Sequence, residues 1–276
     1  MIELPEAKVI ARQIKETLKG KRIEEVVAAN TPHKFAWYFE DPKDYQKLLS
    51  GKYIDGSSSF GGFIEISAED CRILLGEGVK IKYYEKGEKL PVKHQLMITF
   101  DDGSAMVCSV QMYGGMWCFR EGKNQDPYYK VAKEKPSPFS VEFNEYYFLN
   151  MLDEDTKGLS LKAFLATQQR IPGFGNGILQ DILWNAKLHP KRKMNSLEEA
   201  DLINLFKSIK ATIGEMVEKG GRYTEKDLFG INGGYKTVMS SKNEKMLCPI
   251  CCNDINKESY LGGSIYYCSQ CQPFIK

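Results

Sequence analysis

Near its end the chain reads LCPICCNDINKESYLGGSIYYCSQCQPF, residues 247–274. Cys248 and Cys251 form one C-x2-C pair, Cys268 and Cys271 form a second, and 16 residues separate the pairs. Such a doubled pair is typical of a tetrahedral zinc site, because each pair supplies two thiolates and the residues between can fold as a β-hairpin. A redox pair or a set of unliganded thiols is the alternative, which this spacing disfavours. We therefore expect one structural Zn2+ ion, since four thiolates leave no open coordination position for water.

The composition indicates a folded protein with little excess charge. The chain has 276 residues, 12% aromatic residues and a net charge of +2. This length favours two domains, and the small charge means that any affinity for nucleic acid must come from local basic patches. The sequence contains no run of about 18 apolar residues and no signal peptide, so we expect a soluble cytoplasmic protein without membrane contact. In that reducing compartment Cys71, Cys108 and Cys118 are expected to be buried thiols, and Cys252 lies outside the metal set.

Upstream of the cysteine pairs the chain is predicted to be helical. Apolar residues recur at spacings of three and four in the segments 140–155, 159–170, 176–188 and 196–221. RIPGFGNG, residues 170–177, interrupts this pattern with tight turns directly before a helix. Backbone N–H groups at such a turn, with Gly175 and the side chain of Asn176, could bind a phosphate. A plain helix–helix connector is the alternative, although the basic run that contains Lys191 and Arg192 favours DNA.

The N-terminal half has a different pattern. Short β-branched or aromatic runs, separated by glycine turns, predict an antiparallel β-sandwich after an N-terminal helix. We therefore expect an α+β protein in which residues 1–120 form the helix and the β-sandwich and residues 121–140 form a linker. Residues 141–240 then form a helical domain, and residues 241–276 a zinc-binding hairpin.

Three of these motifs, in this order, resemble the formamidopyrimidine-DNA glycosylase and endonuclease VIII family. ELPEA (residues 3–7) is similar to the family's N-terminal signature, PGFGNGILQDILWNAKLHP (172–190) to its helix-two-turn-helix, and residues 248–272 to its zinc finger. The resemblance implies a base-excision-repair DNA glycosylase with AP lyase activity. Such an enzyme flips a damaged base out of double-stranded DNA and attacks the sugar C1′ with its N-terminal amine to form a Schiff base. It also implies a monomer that binds damaged or abasic duplex DNA in a bacterial-type cytoplasm, associated with the nucleoid.

The resemblance assigns roles to the opening MIELPEA. Glu3 corresponds to the acid that moves protons during ribose ring opening, and Glu6 to a second acid at the helix start. Most relatives have proline where this chain has Ile2, and the amine of that proline is the nucleophile once the initiator methionine is removed. Removal is expected only before small residues, so Met1 should stay and supply a primary amine that can still form an imine. For Glu6 the alternative is a residue that only complements the helix dipole.

Other positions differ from the family pattern. Gly62 stands where relatives have a hairpin lysine, and Gly263 where they have a zinc-finger arginine, so two phosphate contacts should be missing and DNA binding weaker. Residues 223–245 resemble the loop that sets base specificity. These differences leave open an alternative: a damaged-DNA-binding protein that kept the scaffold and lost the chemistry.

The residues that enter the base stack also differ. Relatives insert a methionine where this chain has Glu77, an acid that would stack poorly. QMY, which is Gln111, Met112 and Tyr113, resembles the family's wedge, and Met112 and Tyr113 could fill the void left by a flipped base.

Overall fold

The structure is a computed structural model that describes residues 2–76, 78–243 and 246–275. Its first element is helix α1 (Leu4–Leu18). Pro5 lies in its first turn, where a missing N–H costs nothing. Its apolar residues recur at helical spacing and form one buried stripe that packs against the strands described next. Leu4, at its start, belongs instead to the core of the C-terminal half. The first helix therefore connects both halves of the molecule.

The N-terminal half is a sandwich of two sheets, which confirms the prediction. Its strands are β1 (Ile23–Ala28), β2 (Ala36–Tyr38), β3 (Ile54–Phe60), β4 (Phe63–Ala68), β5 (Cys71–Leu75), β6 (Val79–Tyr84), β7 (Leu96–Phe100), β8 (Ala105–Val110) and β9 (Gly114–Arg120). One sheet has the order β1-β7-β8-β6, and the other has the order β2-β9-β5-β4-β3. The prediction of a wholly antiparallel sandwich is wrong at one place, because β2 and β9 pair in parallel. Helix α2 (Tyr45–Leu49) connects β2 to β3.

The segment interpreted as a linker contains helix α3 (Pro127–Glu134). Asp126 begins this helix by accepting a hydrogen bond from the Tyr129 amide at 2.8 Å. The Tyr129 ring is buried against Phe63 and Phe119, and its hydroxyl donates to Glu65. Eight residues of the expected linker thus form a helix attached to the sandwich.

The C-terminal half is helical and ends in a hairpin, as predicted. Its helices are α4 (Glu145–Leu149), α5 (Glu154–Lys157), α6 (Leu161–Ala166), α7 (Asn176–Asn185) and α8 (Glu199–Glu218), and the hairpin strands are β10 (Ile255–Tyr260) and β11 (Gly263–Cys268). The first predicted helix is divided in two because Asn144 and Asp153 each cap a separate helix start. In the described ranges, no helix is both long and apolar enough to span a bilayer.

Candidate active site and nucleic-acid interface

The glycine turn before α7 receives the side chain of Glu3. The amides of Gly177 and Ile178, at the start of α7, donate to the two carboxylate oxygens at 2.9 and 2.8 Å. A Cβ on Gly175 would lie 2.3 Å from the carboxylate carbon of Glu3, so this position must be glycine. The turn does bind an anion, as its pattern suggested, but the anion is a carboxylate of the same chain. The prediction of an open phosphate site at the α7 amides is therefore corrected, because Glu3 uses them.

A buried arginine joins Glu3 to Glu6. Arg222 lies just after α8, and its Nε and Nη2 contact the two oxygens of Glu6 at 2.9 and 2.8 Å. Its Nη1 lies 3.4 Å from Oε2 of Glu3. The three side chains are 4%, 3% and 9% exposed, for Arg222, Glu6 and Glu3 in that order. The acids expected from the opening motif thus form one ion-paired cluster around a residue that the sequence analysis missed.

The environment of Glu3 favours its protonated form more than water does. Burial raises the pKa of the Glu3 carboxyl, and the Arg222 charge opposes this effect, while the neighbouring Glu6 raises the pKa further. The α7 amides act in the same direction as Arg222. The net shift is upward, which suits a carboxyl group that must give and take a proton near neutral pH.

A cavity of about 650 Å³ lies beside the start of the chain. Ile2 forms part of its wall and is itself only 8% exposed, because its side chain also packs into the sandwich core. Its other walls include β6, part of β8 and the segment 224–232. Its charged lining residues are Lys80, Lys82, Lys93, Glu225, Lys226, Asp227 and Lys242. The excess of lysines over acids favours an anionic ligand. Met1, the expected nucleophile, lies outside the described residues.

The expected wedge residues lie in the turn between β8 and β9. Gln111 is exposed and Met112 is 69% exposed, while the Tyr113 ring packs 5.9 Å from the half-exposed ring of Trp37. This turn therefore presents apolar side chains to solvent, as an inserting wedge requires. Glu77, the other residue expected at the base stack, lies outside the described residues.

Asn176 connects α7 to the terminal hairpin. Its Nδ2 donates to the carbonyl oxygen of Ser264 in β11 at 2.9 Å, and Gln180 donates to its Oδ1 at 3.1 Å. The side-chain donor expected for a phosphate is thus engaged with the hairpin. Beside it, a Cβ on Gly263 would lie 3.4 Å from the amine of Lys162, which donates to the carbonyl oxygen of Tyr260 at 2.6 Å.

Lys191 and Arg192, in the basic run after α7, form ion pairs within the fold. Arg192 is 7% exposed and contacts Asp201 at 2.6 Å, and Lys191 forms an ion pair with Glu258 of β10. The structure thus commits both cations to carboxylates of the same chain, and the sequence pattern could not reveal those partners.

At Gly62, the position expected for a hairpin lysine, the backbone of the β3–β4 turn closely approaches the glycine turn before α7. Gly62 lies in the turn between β3 and β4, and a Cβ on Gly173 of the glycine turn would lie 2.2 Å from its amide nitrogen. A Cβ on the adjacent Gly61 would lie 2.9 Å from Pro172, so the two turns approach this closely because Gly61 and Gly173 have no side chains. The sandwich and the helical half therefore meet at the same glycine turn whose Gly175 lies against Glu3.

The four paired cysteines form one cluster. The Sγ atoms of Cys248, Cys251, Cys268 and Cys271 all lie within 4.8 Å of one another, and the pairs 251/268 and 248/271 are separated by 3.3 and 3.8 Å. A tetrahedron with metal–sulfur bonds of about 2.3 Å has sulfur–sulfur edges of about 3.8 Å. The set can therefore hold a metal ion, and Cys252 is exposed outside it, as expected.

Comparisons with known proteins agree with this architecture. The formamidopyrimidine-DNA glycosylase N-terminal domain matches residues 1–82, and the H2TH domain of the same enzymes matches residues 135–227. Formamidopyrimidine-DNA glycosylases of Bacillus cereus and Lactococcus lactis are 27% and 29% identical to this chain, covering 100% and 99% of each protein.

Solved structures give the same fold. A complex of the Lactococcus lactis Fpg with abasic-site DNA has a TM-score of 0.82 at 22% identity, and covers 99% of this chain and 100% of that one. The MutM (Fpg) protein of Thermus thermophilus has a TM-score of 0.81 at 22% identity, and covers 98% of each chain. With both family domains matched, full-length relatives of one name and a shared fold, the chain belongs to the formamidopyrimidine-DNA glycosylase family.

Proposed function

We propose that this protein is a base-excision-repair DNA glycosylase with AP lyase activity on damaged or abasic double-stranded DNA. The observation that carries the proposal is the Glu3 carboxyl, which is buried, raised in pKa and held by α7, and which follows directly on Ile2 in the wall of a cationic cavity. The named activity of the full-length relatives supports the same conclusion. We further propose that it works as a monomer in the cytoplasm, associated with the nucleoid.

In the proposed reaction the amine of Met1 attacks C1′ of the target sugar. A bond forms between the amine nitrogen and C1′ as the amine gives a proton to the departing group, which is the base or, at an abasic site, the C1′ hydroxyl leaving as water. The bond from C1′ to the ring oxygen then breaks and leaves the Schiff base. Glu3 supplies the proton that the sugar oxygen needs as the ring opens, and takes it back later. The lysine-rich cavity receives the flipped nucleotide, and Met112 with Tyr113 fills the space that it leaves in the duplex. A Zn2+ ion on the four cysteines keeps the hairpin folded against α7.

Borohydride trapping on abasic-site duplex DNA tests the proposal, because a covalent adduct requires an amine nucleophile. We expect the wild-type protein to trap, and Glu3→Gln to lower trapping and nicking by about 10²–10⁴-fold, the usual contribution of general acid–base catalysis. Glu16→Gln, at an exposed acid of α1, is the matched control and should trap normally.

Acetylation of the N-terminus separates this mechanism from its alternatives. The modification removes the imine-forming amine and one charge, so it should abolish trapping and leave DNA binding nearly unchanged. Trapping by the acetylated protein would assign the nucleophile to a lysine. If unmodified protein binds abasic DNA without trapping or nicking it, the binding-only alternative is correct.

A further inference from the structure

Arg222 lies at the centre of the acidic cluster, and the family resemblance assigns it no role. We propose that Arg222 is a positioning residue that fixes the Glu3 carboxyl against α7 and stabilises its ionised form. The inference rests on the proposed function for the role of Glu3. It concerns a residue that acts through Glu3 and does not itself touch the substrate.

The geometry uses the planar fork of a guanidinium. Nε and Nη2 of Arg222 form two parallel hydrogen bonds to Glu6, at 2.9 and 2.8 Å. This bidentate pair orients the remaining nitrogen, Nη1, towards Glu3 at 3.4 Å. A lysine could supply the charge but could not hold both carboxylates at fixed angles.

Two further features hold the arginine in place. Its backbone amide donates to Oε1 of Glu6 at 3.1 Å, and the adjacent Tyr223 amide donates to the carbonyl oxygen of Tyr235 at 2.8 Å. On α7, a Cβ at Gly177 would lie 1.8 Å from Nη1, so the absence of a side chain there makes room for the guanidinium. The position of Arg222 is therefore determined by backbone contacts as well as by the acids.

The charges around Glu3 determine the sign of the expected effect. Burial raises the pKa of Glu3 most, the Arg222 charge lowers it, and the Glu6 charge from α1 raises it. Arg222 in turn interacts with Glu225 of the loop and Asp181 of α7. Removal of the Arg222 charge should raise the pKa of Glu3, and removal of the Glu6 charge should lower it. With Glu6 already neutral, removal of the Arg222 charge should again raise the pKa of Glu3.

Carbon-13 NMR of protein labelled at the glutamate carboxyl carbons measures this directly. The Glu3 signal is assigned by its loss in Glu3→Gln, and its titration midpoint is followed in Arg222→Gln, Glu6→Gln and the double variant. We expect an upward shift in Arg222→Gln, a downward shift in Glu6→Gln, and a higher midpoint in the double variant than in Glu6→Gln. Arg12→Gln, at an exposed arginine of α1, is the matched control and should leave the midpoint unchanged.

The pH profile of abasic-site nicking under single-turnover conditions gives the second measurement. Its Glu3-dependent limb should move in the same order as the midpoints, whereas a merely structural role would scale the rate without moving the limb. Arg222→Lys should keep the limb close to the wild-type position and lower the rate, because the charge is kept and the fork is lost.

The double variant keeps the test decisive if Arg222→Gln fails to fold. It replaces the buried Arg222–Glu6 ion pair by two neutral amides, so that Glu6 is not left as a second carboxylate without a cation beside Glu3. A Glu3 midpoint that is no higher in the double variant than in Glu6→Gln would overturn the inference. If the wild type does not nick DNA while the midpoints shift as stated, the proposed function is wrong and the electrostatic role of Arg222 stands.

Discussion

Replacement of Gly177 by alanine tests the architecture of the acidic cluster most directly. The new Cβ would lie 1.8 Å from Nη1 of Arg222 and 2.9 Å from Oε1 of Glu3. Carbon atoms approach nitrogen no closer than about 3.5 Å without repulsion, so the guanidinium would have to move by more than about 1.5 Å. That movement breaks its contact with Glu3 and distorts its fork on Glu6.

The magnitude follows from the burial of the three groups. Breaking a buried ion pair while leaving its charges in the interior costs about 3–5 kcal/mol. Alanine in place of glycine in a helix gains at most about 1 kcal/mol, which offsets part of this cost. We therefore expect Gly177→Ala to lower the free energy of unfolding by about 2–4 kcal/mol. Nicking should fall as well, because Glu3 is then no longer fixed against α7.

Urea unfolding followed by circular dichroism measures the change, with zinc present throughout. Gly214→Ala is the matched control, since Gly214 lies within α8 and its Cβ would meet nothing within 4 Å. The control should stabilise the protein by about 0.5–1 kcal/mol. If Gly177→Ala were as stable as Gly214→Ala, the space above α7 would not hold a guanidinium and the cluster described here would be wrong.

Four further outcomes are expected. Metal analysis should find one zinc ion per chain, which Cys268→Ser should release with unfolding of the hairpin, whereas Cys252→Ser should retain it. Asn176→Ala should destabilise the fold by about 1 kcal/mol in urea, because one hydrogen bond between α7 and the hairpin is lost. Arg192→Gln should destabilise the fold by about 1–3 kcal/mol in urea, since it leaves a carboxylate without its partner. The same substitution should leave the affinity for DNA unchanged. A loss of affinity without a loss of stability would instead show that Arg192 contacts DNA directly. Against the effect of partial burial, hydrogen bonds from a lysine and a serine lower the pKa of Asp102 to about 2. The contribution of ionised Asp102 to the free energy of unfolding should therefore be complete above about pH 4 and disappear as the pH falls towards 2. In urea titrations between pH 5 and 2, the wild type should show this loss of stability and Asp102→Asn should not.

The parts of the fold that the sequence predicted well depend on neighbours within a few residues. The two C-x2-C pairs, the glycine-separated β runs and the helical spacing before them indicated the hairpin, the sandwich and the helical domain. The parallel pairing of β2 with β9 was missed because a strand as short as Ala36–Tyr38 carries no pattern that distinguishes a parallel partner. Helix α3 was missed because a lysine- and proline-rich segment is typical of a linker, and the burial of Tyr129 against the sheet is a long-range contact.

The candidate site divides in the same way. The motifs at the start of the chain, in the glycine turn and at the cysteine pairs pointed to Glu3, Glu6, Gly175 and the metal ligands. The sequence contained no signal for Arg222, which is a single arginine in a loop and lies 216 residues from Glu6. The sequence also suggested that the α7 amides and the basic run were available to bind phosphate. A sequence does not show whether a hydrogen-bond donor already has an acceptor within the fold.

The sequence by itself determined the class of fold and the four cysteines that can hold a metal ion, since spacing and periodicity are local properties of the chain, and the resemblance of three motifs indicated the family. The tertiary structure decided which charges meet. Burial and ion pairing depend on distances between segments that the chain order does not specify, so the pKa of Glu3 and the pairing of Arg192 follow only from the folded arrangement. The glycine turn illustrates the division: its sequence predicted an anion at the start of α7, and the fold decided that the anion is the carboxylate of Glu3.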